Sequence, residues 1–152
     1  MRRPATLGLE LASAAVLALA AATPRAPAHP EGAPPAHTGG FGEPTCTSCH
    51  FGYELDEPGA TLRLEGVPDA YAPAERYTLH IVLAMDGLPR GGFQLAARFA
   101  DGQLAGQQAG TLHPADDRAA AVDFDGVTYA SHTYDGTYPT APDTLRWTLH
   151  WT

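Results

Sequence analysis

Tyr77-Thr78-Leu79-His80-Ile81-Val82-Leu83-Ala84-Met85 and Leu145-Arg146-Trp147-Thr148-Leu149-His150-Trp151 decide the fold. In the first, Tyr77, Leu79, Ile81 and Leu83 alternate with Thr78, His80, Val82 and Ala84. In the second, Leu145, Trp147, Leu149 and Trp151 alternate with Arg146, Thr148 and His150. Strand side chains point to opposite faces in turn, so a period of two means a strand with one face on a core. The same alternation runs through residues 62–65 and 93–99, and more briefly at Val122/Phe124 and Val127/Tyr129. Between these runs lie turn formers: Gly66-Val67-Pro68-Asp69, Asp86-Gly87, Arg90-Gly91-Gly92, Asp101-Gly102, Asp125-Gly126 and Asp135-Gly136. Six or seven short strands without an amphipathic helix or an internal repeat predict an all-β fold, a β-sandwich over residues 59–152.

Ahead of the strands the composition changes twice. Arg2 and Arg3 precede an apolar run from Leu7 to Ala22, and Ala26-Pro27-Ala28 offers a small-x-small cleavage site. This is the pattern of a secretory signal over residues 1–28, with an uncleaved N-terminal anchor as the alternative. Residues 29–44 are rich in proline and glycine and read as an extended linker; together with the motif below they form a segment over residues 29–58. The 152-residue chain carries a net charge of −8, which becomes −10 once three arginines and one glutamate leave with the signal. Such acidity excludes nucleic-acid binding on electrostatic grounds. It would steer the protein toward a basic docking patch, or simply keep an exported domain soluble.

Cys46-Thr47-Ser48-Cys49-His50 is the chemical signature of the chain: C-x-x-C-H, with no other cysteine present. Two thiols at this spacing can form thioethers to the two vinyl groups of one haem edge, and the adjacent imidazole can turn onto the iron. A Cys46–Cys49 disulfide is a second reading, but it leaves His50 without a role. Zinc would need a fourth ligand, and a thioredoxin-like pair would need a βαβ context that is missing here. Haem is joined to such motifs outside the cytoplasm, so motif and signal agree on a periplasmic or cell-surface location in a bacterium.

The iron needs a second axial ligand, a water or an open position. His80 and His150 fall on the outward phase of their strands. His29 and His37 lie in the linker, and His113 precedes Pro114 in a polar loop. His132, at the junction of a strand and a loop, is the preferred distal ligand; a core-edge histidine bonded to backbone is its bland alternative. Met85 is the other candidate and would raise the reduction potential, although a methionine there also reads as core filler. Phe41, Phe51, Tyr53 and Leu55 are candidates to shield the haem edge. No catalytic constellation stands out. Ser131, His132 and Asp135 have triad letters without a nucleophile elbow, and the Asp116-Asp117 and Asp123/Asp125 pairs lack EF-hand spacing.

A family resemblance joins these motifs. Thr38-Gly39-Gly40-Phe41-Gly42-Glu43 leads into the C-x-x-C-H stretch, followed by Tyr71-Ala72-Pro73-Ala74-Glu75-Arg76-Tyr77, Gly91-Gly92-Phe93-Gln94-Leu95, Tyr129-Ala130-Ser131-His132-Thr133 and the Arg146 to Thr152 end. In this order, over about residues 38–152, they resemble the bacterial reeler-like, or choice-of-anchor-V, exported proteins. The resemblance implies an immunoglobulin-like, reeler-type sandwich preceded by a haem-binding loop or short helix. It implies no enzymatic activity. Gly40-Phe41 stands where that family usually has Ala-Pro. It further implies a strand beyond Trp151, so the last strand is expected to leave an open edge that a partner subunit or residues 29–44 would cover.

Taken together, the sequence predicts an exported monohaem c-type cytochrome rather than an enzyme. Cys46, Cys49 and His50 would hold one covalent haem c. Its partner would be a redox protein or a membrane-associated electron-transfer complex, within an assembly. Two other classes compete: a structural or adhesive partner-binding subunit with ancillary haem or a disulfide, and a haem sensor or small peroxidase with an open distal site.

Overall fold

The two alternating stretches pair with each other. In the computed structural model, which describes residues 29–51, 55–56 and 58–152, they form β2 (Tyr77–Met85) and β7 (Thr144–Trp151). The export signal expected over residues 1–28 and the candidate Tyr53 lie outside the described residues. The antiparallel register sets Leu79 opposite Leu149, Ile81 opposite Trp147 and Leu83 opposite Leu145. Their apolar faces therefore form one continuous surface. With β1 (Ala60–Glu65) and β4 (Leu112–Pro114) they make a four-stranded sheet ordered β1-β2-β7-β4. The second sheet has three strands, β3 (Gln94–Leu95), β6 (Val127–His132) and β5 (Ala119–Phe124), ordered β3-β6-β5. All pairings in both sheets are antiparallel.

One core joins the sheets. Leu79, Ile81, Leu112, Leu145, Trp147 and Leu149 from the first meet Ala119 and Ala130 from the second, with Leu88 and Phe93 between. The Phe93 and Trp147 rings lie 4.8 Å apart, and the buried Trp147 indole N–H donates to the Gly136 carbonyl at 2.9 Å. That bond satisfies the one polar atom the ring carries inside. On the outer face of the first sheet, His80 and His150 bond to Thr148 and Thr78 as their phase requires. Val82 shares that face yet is buried, because its cross-strand neighbours are Arg63 and Arg146. Their aliphatic stems can cover it while Glu65 holds both guanidinium groups.

Three expectations change. The strand expected over residues 93–99 pairs with β6 only at Gln94 and Leu95. Beyond it the chain pairs with itself: Ala109 N–H donates to the Ala97 carbonyl and Phe99 N–H to the Gln107 carbonyl. The next β6 amide, Thr128, is taken by the Gln108 side chain at 2.8 Å. His113 is a strand residue in β4, not a turn. And β7 is not an open edge. β4 pairs Leu112 with Trp151, His113 with His150 and Pro114 with Leu149, and Thr111 and Thr152 exchange both backbone bonds. A strand only three residues long is invisible to periodicity.

Residues 29–45 cover neither edge of the first sheet. They lie along the second, held by side chains. The Gln94 carboxamide donates to the Pro34 carbonyl at 2.9 Å and accepts from the His37 backbone at 2.7 Å. Further along, the Glu43 carboxylate, its side chain only 9% exposed, meets Arg98, the Tyr129 hydroxyl and Thr38. Burial opposes ionisation of Glu43, but the bonds from Thr38 and Tyr129 and the Arg98 charge outweigh it and hold the carboxyl below its ordinary range. Burial, then the Glu43 carboxylate, raises the Tyr129 phenol.

Candidate functional site

The Glu43 anchor stands three residues before Cys46 and fixes where the motif begins. Cys46–Ser48 form a single 3-10 turn. Cys49 N–H and His50 N–H both donate to the Cys46 carbonyl, at 3.2 and 2.9 Å, and the Thr45 and Thr47 hydroxyls bond at 2.7 Å on the same turn. Both thiols are free, Cys46 exposed and Cys49 half-buried.

The turn forms one wall of a cavity of about 410 Å³. Cys46, Cys49 and His50 line it together with Arg90, Gly92, Phe93 and His132 and, from residues 29–37, with His29 and His37. The volume falls within the range of small-molecule and cofactor sites, about 300–1,000 Å³. Four imidazoles thus line one space, two of them from the segment whose composition predicts an extended linker. Among the described residues no group of three or more His, Cys, Asp or Glu side chains converges as a metal cluster, and no helix is long and apolar enough to cross a membrane.

His132 ends β6 on the same strand face as the core residue Ala130. Its ring is held from both sides. Nδ1 lies 3.1 Å from the Phe93 N–H and 3.2 Å from the Phe93 carbonyl, and Nε2 lies 3.3 Å from the His29 carbonyl. Both tautomers are therefore served. With the proton on Nε2, the ring donates to His29 and accepts from Phe93. With the proton on Nδ1, it donates to the Phe93 carbonyl and frees the Nε2 lone pair, the arrangement of a metal-ligating histidine oriented by a backbone carbonyl. Gly92 makes room for the ring: a Cβ there would stand 2.3 Å from His132 Cε1.

Arg90 is the permanent cation of the wall. Its guanidinium lies over the Tyr134 and Tyr138 rings, 4.7 and 4.4 Å from their centres, and its Nε–H donates to the Thr137 hydroxyl at 3.0 Å. The sequence reading passed over Arg90 and Gly92. The available signal is the Arg90-Gly91-Gly92 turn running into the Gly91-Gly92-Phe93-Gln94-Leu95 family motif.

The other candidates are placed elsewhere. Met85 ends β2 and does not line the cavity. Phe41, 55% exposed, stacks with Arg98 at 5.2 Å. Phe51 is 69% exposed, and neither ring reaches the cavity wall. Leu55 is also exposed.

Two free thiols and an imidazole on one turn, a second imidazole whose Nδ1 a backbone carbonyl can hold, and the Arg90 cation line one cavity, a set of side chains that suits a covalently attached haem. No protein-family profile, curated protein or solved structure matches the chain.

Proposed function

We propose that this chain is an exported monohaem c-type cytochrome that transfers single electrons, as a carrier or as a subunit of a larger redox assembly. The observation that carries the reading is the convergence of Cys46, Cys49 and His50 with His132, remote in sequence, on one cavity. A haem bound there would supply a one-electron iron couple. Cys46 and Cys49 would hold the porphyrin by thioethers, His50 would be the proximal ligand and His132 Nε2 the distal one. Arg90 would neutralise a propionate. Phe93, buried and lining the cavity, adds apolar surface to the site, whereas Cys46 and His50 stay exposed. One exposed edge suits electron exchange with a docked protein. His37 and His29 line the same space and stand as the next distal candidates, ahead of Met85. In this reading residues 1–28 direct export to the periplasm or cell surface, and the two sheets form an immunoglobulin-like, reeler-type sandwich.

Production with the native signal in a host able to attach haem tests the proposal. The intact mass should exceed that of the processed polypeptide by one haem, and the colour should survive acid–acetone extraction. An unmodified mass overturns it. Cys49→Ala should retain at best one thioether and give poor yield.

A further inference from the structure

A second cavity, sharing no lining residue with the first, lies where the chain enters β2 and leaves β7. It measures about 190 Å³ and is walled by Tyr71, Pro73, Glu75, Tyr77, Phe99 and Trp151. Drug-sized ligands take about 300–1,000 Å³, so this site suits a single small head group. Tyr71 meets Trp151 edge to face, 5.8 Å between centres at 62°, and Tyr77 lies 5.7 Å from Trp151 at 35°. Rings at such angles form the sides of a box. One side carries a carboxylate, Glu75.

The polar atoms of Tyr77 and Trp151 are already engaged. Trp151 Nε1–H donates to the Ala109 carbonyl at 2.8 Å. The Tyr77 hydroxyl accepts from the Ala72 N–H at 2.8 Å and donates to Glu75 at 3.2 Å. What these two rings offer a guest is their faces, which are electron-rich and attract cations. The rim is also preorganised: Ala72 to Glu75 form a turn closed by Glu75 N–H to the Ala72 carbonyl at 3.2 Å, with Ala74 in the left-handed region at φ 66°. Among the described residues, arginine stacks on Tyr134, Tyr138, Phe41 and Tyr129, and on none of the rings of this box. It has aromatic walls and an anion but no cation of its own.

We propose that this cavity binds a quaternary or methylated ammonium group, through cation–π contact with Tyr71, Tyr77 and Trp151 and charge pairing with Glu75. Choline is the probe, and 3,3-dimethylbutan-1-ol, its uncharged isostere, the control. The reporter is the Trp151 indole N–H resonance, assigned by its loss in Trp151→Phe, with the buried Trp147 indole as internal reference. Choline should shift the Trp151 signal saturably and leave Trp147 in place. The isostere should bind at least about fivefold more weakly, and Glu75→Gln and Tyr71→Ala should each weaken choline by about fivefold or more. Tyr71 is exposed, so its truncation leaves the core intact, and Tyr71→Phe should bind like the parent. Sedimentation with phosphatidylcholine but not phosphatidylglycerol vesicles would assign the group to a lipid head. Choline binding without vesicle retention would assign it to a free solute. No saturable shift, equal binding of the isostere, or indifference to Tyr71→Ala overturns the proposal.

Discussion

At His132 the chemistry turns on which ring nitrogen carries a proton. The Phe93 backbone can hold the ring in either tautomer, and ligation through Nε2 would need both the proton on Nδ1 and withdrawal of the His29 carbonyl, 3.3 Å from Nε2. On the proposed haem reading, His132→Ala should open the distal position, convert the iron toward high spin and admit carbon monoxide; a persistent low-spin spectrum would assign the ligand to another residue. Gly92→Ala probes the same ring without replacing it. A new methyl would overlap the imidazole, and displacing it should reduce the low-spin fraction and cost about 1–3 kcal/mol of stability, read by urea unfolding.

Among the elements, the turn before β2 contains a testable local strain. Pro73 and Ala74 occupy its centre, and Ala74 adopts a left-handed φ of 66°. An L-residue there is disfavoured by about 1–2 kcal/mol, and glycine recovers this less its own entropy penalty. Ala74→Gly should therefore stabilise the protein by about 0.5–1 kcal/mol and raise Tm by roughly 2–4 °C. An unchanged or lower Tm would show that this turn does not bear on stability. β1 teaches a different point about elements. Leu62 and Leu64 pair with Leu83 and Ile81 on the apolar phase, yet they are 64% and 44% exposed. Alternation sets which face a residue occupies, not whether the opposite sheet reaches it. Here the second sheet has three strands against four.

For the whole molecule, the Glu43–Arg98–Tyr129 cluster ties residues 29–45 and the cysteine turn to the second sheet. Glu43 has a lowered folded pKa. Its contribution is therefore fully present above the unfolded value and is lost as pH falls through the folded one. Stability should decline with acid below the ordinary glutamate range, about pH 4.5. Glu43→Gln should remove that part of the decline and lower stability at neutral pH by about 2–3 kcal/mol, because Arg98 is left half-buried without its counter-charge. Urea midpoints of both proteins between pH 3 and 7, on the order of one unit apart, would measure the difference. Parallel curves would show that Glu43 does not titrate as its surroundings require.

Local pattern by itself determined the all-β class, the β2 and β7 faces, the Asp125-Gly126 hairpin and the grouping of Cys46, Cys49 and His50 on one turn. Each rests on neighbours in the chain: a period of two, a two-residue turn with φ positive at both positions, a fixed thiol spacing. Only the tertiary structure decided that β4 closes the side of β7 and that residues 29–45 pack on the second sheet. It alone brought Arg90, His37 and His132 to the cysteine turn, and Tyr71 to Trp151. These depend on single long-range partners, such as the Gln94 carboxamide, the Glu43 carboxylate and the missing Cβ of Gly92. One side chain carries no period, so its partner emerges only when the chain folds.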